Sequence, residues 1–246
     1  MTAETARSLQ EKAARALPAD DTREVGGWRL RHTRGPSWWI GTVLPHGDAE
    51  PGELARRIAE AEDFYARRGA AARFQITPGV CPDTLDAALA ERGYQRELTV
   101  SLRVAATRRL LTRPPSKRVR VDDHPSREWL ETWQAVNGGD VDAERDLLRR
   151  VPGPSGYASL IDGGSVVAVG RAVADDGWAG IFGMATRAEA RGRGAGRDVL
   201  AALADWARAR RATRMYLQVL TGNRPAVRLY EGAGFGELCG YHYRRR

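Results

Sequence analysis

Cysteine, lysine and long apolar runs are scarce in this 246-residue chain. Its two cysteines, Cys81 and Cys239, are too few for a disulfide framework and too few for a structural zinc site, so no metal is expected. No apolar run approaches the ~20 residues that a membrane-crossing helix needs. The opening MTAETARSLQEKAARALPADD carries early acids and no apolar core, unlike a secretory signal. These absences lead to the expectation of a cytoplasmic protein without membrane association. Lysine is nearly missing, since only Lys12 and Lys117 accompany the arginines among 39 basic residues.

What is present is ordinary globular composition, with 42% hydrophobic and 28% charged residues, which excludes wholesale disorder. The formal net charge of +8 is unevenly placed. Residues 1–105 hold 15 basic and 15 acidic side chains, so the whole excess lies further on. A positive field there suits an anionic ligand, either nucleic acid or a phosphorylated cofactor.

A break falls near Ala105–Val121, where Pro114 and Pro115 are flanked by basic residues. It divides the chain into a domain at 1–105, a linker at 106–117 and a domain at 118–246. In the first, Gly27–Arg31, Trp38–Leu44, Arg73–Thr77 and Glu97–Val104 are predicted strands, and Glu53–Arg68 and Pro82–Arg92 predicted helices. In the second, helices at 125–137, 142–150 and 225–233 accompany strands at 119–121, 157–161, 165–173, 178–186, 215–220 and 238–243. Asp162-Gly163-Gly164 marks a hairpin. A further helix with Val199, Leu203 and Trp206 on one face follows a Gly/Arg loop. Strands alternating with helices favour an α/β (α+β) fold.

The halves resemble one another under a shift of 141 residues. Arg73-Phe74 falls on Arg214-Met215, Gly93-Tyr94 on Gly234-Phe235, and Ile40 on Ile181. An old duplication explains this, as does coincidence between similar α/β units. Where the second half has Arg193-Gly194-Ala195-Gly196, the first has Gly52-Glu53-Leu54-Ala55. That copy has gained an acid and lost the close glycines, so it is not expected to hold phosphate.

The informative loop is Arg191-Gly192-Arg193-Gly194-Ala195-Gly196-Arg197, between a predicted strand and an amphipathic helix. Its glycines permit tight turns, the helix start offers free N–H groups, and Arg191, Arg193 and Arg197 add charge. It reads as a pyrophosphate cradle or, more plainly, as a surface turn. It is neither a Walker loop nor the Rossmann fingerprint. A second segment, Asn223-Arg224-Pro225-Ala226-Val227-Arg228-Leu229-Tyr230, reads as a helix capped by Asn223. Gly234 stops that helix, and Tyr230 taken alone is an ordinary half-buried aromatic.

Together, Arg191, Gly194 and Gly196 followed 27 residues later by Asn-x-x-Ala-x-x-Leu-Tyr-x-x-x-Gly-Phe resemble the GNAT acyltransferase superfamily over about 118–246. The first half resembles a degenerate second unit, as in tandem members. The resemblance implies two units, each a mixed, mostly antiparallel sheet flanked by helices, with an acetyl-CoA cleft in the second. It implies that the backbone of Met184, Ala185 and Thr186 holds the pantetheine arm. It implies that Arg191, Gly192, Arg193, Gly194, Ala195, Gly196 and Arg197 hold the pyrophosphate, and that Asn223 contacts the cofactor or caps its helix. An amine then attacks the thioester directly, with Tyr230 as general acid. The expected partner is a small-molecule or peptide amine, and the expected assembly a monomer or homodimer.

One departure stands out. Many relatives place a glutamate on the strand before the loop, but Trp178–Thr186 holds no acid. Asp122, Asp123, His124 and Glu128 lie near the start of the second unit and read as surface or helix-start residues, so no base is assigned. Cys239 reads as a core thiol and His242 as structural. Arg244-Arg245-Arg246 read as a loose, solvated end. Adjacent Trp38 and Trp39 would point to opposite faces of a strand. The alternatives are a non-catalytic CoA-binding protein and, less favoured, a nucleic-acid binder, because no aromatic residues are interleaved with the arginines.

Overall fold

Thr2 sets up the first helix by accepting the Thr5 N–H at 3.4 Å. Ala6, Leu9 and Ala13 then line the buried side of α1 (Ala3–Ala16). The computed structural model describes every residue except Met1, Gly35, Pro36, Arg113, Pro114, Pro115 and Lys117, and the side chain of Pro51 is likewise outside the description. The paired prolines of the expected linker therefore lie outside the described residues. The remaining elements, in order, are β1 (Asp21–Val25), β2 (Trp28–His32), β3 (Val43–Leu44), α2 (Pro51–Ala66), β4 (Arg73–Ile76), α3 (Leu85–Glu91), β5 (Gln95–Ala106), α4 (Thr107–Leu110), β6 (Val119–Asp122), α5 (Arg127–Asn137), α6 (Val141–Arg149), β7 (Ser155–Asp162), β8 (Ser165–Asp175), β9 (Trp178–Thr186), α7 (Ala195–Ala209), β10 (Arg214–Leu220), α8 (Arg224–Gly232) and β11 (Gly236–Arg245).

These elements form two units. The first comprises Met1–Leu102, Leu220–Gly222 and Leu238–Arg246, and the second Arg103–Val219 and Asn223–Glu237. In the first unit the strand order is β1-β2-β3-β4-β11. Its pairs are antiparallel except β3 with β4. Trp28 meets Phe74 edge to face at 6.1 Å, among buried Leu30, Ile58 and Tyr65. The last strand pairs with β4, from His242↔Ile76 to Arg245↔Arg73. A linear reading places that strand with residues 118–246, but its partner lies in the first unit. His242 Nε2 sits 2.9 Å from Asp86 Oδ1, a structural role. Arg244 donates to Asp86 at 2.7 Å and to the Tyr94 carbonyl at 3.0 Å, so it is held rather than loose. Cys239 is half-buried, not a core thiol.

The predicted strand over Trp38–Leu44 is mostly a turn. Ile40 N–H reaches Ser37 O and Gly41 N–H reaches Trp38 O, both at 3.0 Å, which leaves two residues for β3. Trp38 packs edge to face on Tyr243, while Trp39 is 45% exposed.

In the second unit the strand order is β10-β9-β8-β7-β6. The hairpin β7–β8 turns at Gly163 and Gly164 with φ +57° and +81°, the positive pair that a two-residue turn of this hand requires. β6 to β9 pair antiparallel, and β9 pairs parallel with β10 through the crossover helix α7. Val199 and Leu203 of α7 are fully buried among Ile181, Met215 and Leu217. Opposite α7, α5 hangs its Trp129 indole N–H on the Gly170 carbonyl at 3.3 Å. Part of the expected linker is folded here, since Thr107 of α4 donates from its backbone to Thr213 O and from its hydroxyl to Ala212 O.

The two units share a plan. One antiparallel step leads through a helix to a parallel strand, as β2–β3–α2–β4 and as β8–β9–α7–β10. The copies differ most where β3 has two residues and β9 nine. Among the described residues no helix is long and apolar enough to cross a membrane.

Candidate active site

The parallel pairing of β9 with β10 is short. It runs from Trp178↔Arg214 to Ile181↔Leu217, and among the described residues nothing on β10 pairs with Phe182–Thr186. On its other edge β9 stays bonded to β8, with Ala185↔Val169 and Thr186↔Ala168. The register slips between Val169 and Arg171, opposite Gly183 at φ +59°, which bends the strand away. Met184, Ala185 and Thr186 thus present backbone groups with no strand partner on the β10 side.

The glycine loop follows at once. Gly192 and Gly194 have φ +74° and +83°, and Gly194 occupies the position before α7 without any side-chain cap. Among the described residues, the peptide N–H groups of Gly192, Arg193, Gly194, Ala195 and Gly196 donate to no backbone carbonyl. Such groups at a helix start favour an anion. Arg193 and Arg197 are exposed, and Arg191 folds back to donate from Nε to the Thr186 carbonyl at 3.1 Å. The loop is thereby fastened to the end of β9. The equivalent start of α2 differs, because Glu53 pairs there with Arg57 at 2.7 Å.

Helix α8 completes the set. Asn223 Oδ1 accepts the Ala226 N–H at 3.2 Å, so its carbonyl oxygen serves as the cap. Tyr230 is 7% exposed and meets Phe235 edge to face at 6.0 Å. Burial pushes its hydroxyl up to about 12, so it keeps its proton at neutral pH. Arg103 holds the same helix through Glu231 at 2.9 Å. The acids considered near the start of this unit are engaged elsewhere. Asp122 pairs with Arg120 at 2.7 Å and Asp123 with Arg210 at 3.4 Å. The Glu128 carboxyl is lowered by its own backbone N–H and by Ser126 at the start of α5.

A polar cluster escaped the sequence reading. Tyr157, Arg171 and Phe182 lie side by side on β7, β8 and β9, and Tyr216 of β10 lies opposite Gly180. Arg171 is 1% exposed, its guanidinium carbon 5.0 Å from the Phe182 ring centre, and Tyr157 hydrogen-bonds to it. Phe182 and Tyr216 meet at 6.1 Å. A Cβ at Gly180 would fall 2.6 Å from both rings, so only glycine lets them close over the strand. Glu144 of α6 feels the charge of that guanidinium. Burial pushes its carboxyl up, partly offset by the charge of Arg171. The available signal was the spacing of Glu144 with Leu147 and Leu148, both buried on that side of α6. Among the described residues no three His, Cys, Asp or Glu side chains gather as a metal site.

Parallel strands that part beside a glycine-rich helix start, on a sheet repeated once along the chain, are the mark of the tandem GNAT superfamily of acyl-CoA N-acyltransferases. The solved structures agree in fold. A GCN5-related N-acetyltransferase from Kribbella flavida superposes with TM-score 0.74 over 99% of this chain and 95% of its own, at 19% identity. A tandem GNAT protein from the clavulanic acid biosynthesis pathway superposes with TM-score 0.68 over 99% and 87%, at 12% identity. The chain belongs to the family described as probable histone acetyltransferase Rv0428c C-terminal, whose pattern matches residues 2–246. It is also 29% identical to the uncharacterized N-acetyltransferase YobR of Bacillus subtilis (strain 168), over 97% of each chain.

Proposed function

We propose that the second unit transfers an acetyl group from acetyl-CoA to a primary amine by direct attack, and that the first unit is not catalytic. The observation that carries this reading is the parting of β9 from β10 after Ile181 and Leu217, next to the unpartnered N–H groups of 192–196. In this reading Met184, Ala185 and Thr186 bind the pantetheine arm through their backbone, as an added strand would. Residues Arg191 to Arg197 grip the pyrophosphate, through peptide N–H groups and guanidinium charge. Asn223 holds the start of α8 through its cap bond. When bound, acetyl-CoA supplies an acetyl group activated as a thioester. A backbone N–H of β9 receives the charge that develops on the acetyl oxygen. Tyr230 gives its proton to the departing sulfur.

Family membership and the likeness to YobR support an N-acetyltransferase. The reading is supported by the residues, because the second unit offers peptide N–H groups at a helix start and an open strand edge, and the first offers Glu53 at the matching helix start. A soluble, non-membrane setting with a small or peptidic amine as acceptor belongs to the same reading. The test is release of free CoA from acetyl-CoA by the purified chain across a panel of primary amines. Turnover with at least one amine is expected. Tight acetyl-CoA binding with no CoA release from any amine would instead mark a CoA-binding protein.

A further inference from the structure

We infer that the acceptor is a weakly basic aromatic amine, seated against the ring of Phe182 and attacking in its uncharged form. This names the substrate class of the acetyl transfer proposed above and rests on it. Phe182 is the first residue of β9 beyond Ile181↔Leu217, its last described pair with β10, so it stands where the two strands part. Its side chain is half-buried and its ring is held in place. Tyr216 of β10 meets that ring edge to face at 6.1 Å. Gly180 leaves the space for both rings, since a Cβ there would fall 2.6 Å from each. Tyr216 also meets the half-buried Trp178 at 6.4 Å. The fork thus carries aromatic surface, which suits a flat apolar group next to the reacting nitrogen.

The charges favour an amine without a proton. Neither strand of the fork carries an acid, over Trp178–Thr186 or Arg214–Leu220. Behind the ring, the Arg171 guanidinium carbon lies 5.0 Å from its centre, and Arg171 is 1% exposed. The buried cation occupies that side of the ring, so an ammonium on the open side would feel its charge through the ring. The titratable groups within reach of Arg171 are the phenols Tyr157 of β7 and Tyr216 of β10, with Glu144 of α6 the one acid. The buried side chains of α5 are Trp129, Leu130, Thr132 and Trp133, which carry no charge. An arylamine is uncharged at neutral pH, because its lone pair is delocalised into the ring, whereas an alkylamine is almost wholly protonated. In the transfer, the uncharged nitrogen bonds to the acetyl carbon and the carbon–sulfur bond breaks. The sulfur receives the Tyr230 proton. Solvent water takes the surplus proton from nitrogen and returns one to the Tyr230 oxygen.

The experiment follows CoA release from acetyl-CoA with para-toluidine, benzylamine, butylamine and spermidine, for wild type, Phe182→Leu and Phe182→Tyr, from pH 6 to 9. Acetyl-CoA affinity and melting temperature are measured for each protein. In wild type, para-toluidine should give the highest kcat/KM at pH 7 and a flat profile. Benzylamine should be slower and should rise with pH, as its uncharged fraction grows. Phe182→Leu should lose about tenfold on para-toluidine and much less on butylamine, with acetyl-CoA affinity and melting kept. Phe182→Tyr, which retains a ring, should keep the order of the four amines. Faster turnover of butylamine or spermidine than of para-toluidine would overturn the inference and leave acetyl transfer standing. So would a flat benzylamine profile, because the protein would then be removing the amine proton itself. An equal loss on all amines in Phe182→Leu, or loss of acetyl-CoA binding or folding, would mark a structural ring and overturn the seat at Phe182. No CoA release by wild type with any of the four amines would overturn the acetyl transfer to these amines, and this inference with it.

Discussion

Gly196 at the head of α7 abuts Leu229 of α8, such that a Cβ on the glycine would fall 3.0 Å from Leu229 Cδ2. This contact joins the two sequence motifs. The glycine lets α7 start close to the helix that bears Tyr230, and Thr186 Oγ1 is also near, at 3.8 Å. Leu229 is half-buried and has some room to yield. Gly196→Ala is therefore expected to weaken acetyl-CoA binding only a few-fold. Gly196→Val, with two more carbons to place, should cost about 1–3 kcal/mol in packing and weaken binding about tenfold or more. Calorimetric titration of both variants checks the order.

Tyr230→Phe removes only the hydroxyl. The ring contact with Phe235 is kept, so melting should match wild type and acetyl-CoA should bind as before. The rate of CoA release should fall about 10²–10⁴-fold, the usual contribution of a positioned acid. An unchanged rate would remove Tyr230 from the chemistry.

The pH profile separates Tyr230 from other groups. A general acid works while protonated, and burial holds this hydroxyl to about 12. Its activity is present below that value and lost only as pH rises through it. Stopped assays should therefore find no loss of kcat attributable to Tyr230 between pH 7 and pH 9.5. A fall in that range that disappears in Tyr230→Phe would contradict the burial-based reading.

In the first unit, Asp86 binds Arg244 and His242, and its carboxyl is lowered to about 2, chiefly by the Arg244 hydrogen bond. A depressed carboxyl stabilises the fold above its unfolded value, near 4, and that stability fades as pH falls toward 2. The side chain is 38% exposed, so water screens much of the shift and about 1 kcal/mol is a fair expectation. Asp86→Asn should lower the melting temperature by about 2–4 °C at pH 7. It should also flatten the loss of stability between pH 4 and pH 2. Thermal melts at pH 7, 4 and 2.5 test both statements.

Local signals carried most of what the sequence disclosed. The Gly163-Gly164 turn, the Asn223 cap and the positive-φ glycines 192 and 194 are each decided within a few residues of the chain. The missed features are long-range or subtle. The pairing of β11 with β4 joins residues 168 positions apart, as in Gln75↔Tyr243, and alternation along a strand does not name its neighbour. Arg171 reads as one polar residue within an apolar strand, and only the covering helices and rings make it fully buried. At Trp38–Gly41 the aromatic and β-branched residues suggested a strand, but two turn hydrogen bonds closed the segment first. The helix α1 carries local signals of the same kind, in the spacing of Ala6, Leu9 and Ala13 and in its Thr2 cap.

Calorimetric titration of acetyl-CoA into wild type and Gly194→Val is the most direct measurement. Gly194 has open space around it but φ +83°, so valine strains the loop backbone without a clash. The expected result is one acetyl-CoA per wild-type chain, with affinity falling at least tenfold in the variant. No binding to wild type, or equal affinity in the two proteins, would contradict a diphosphate held at the start of α7.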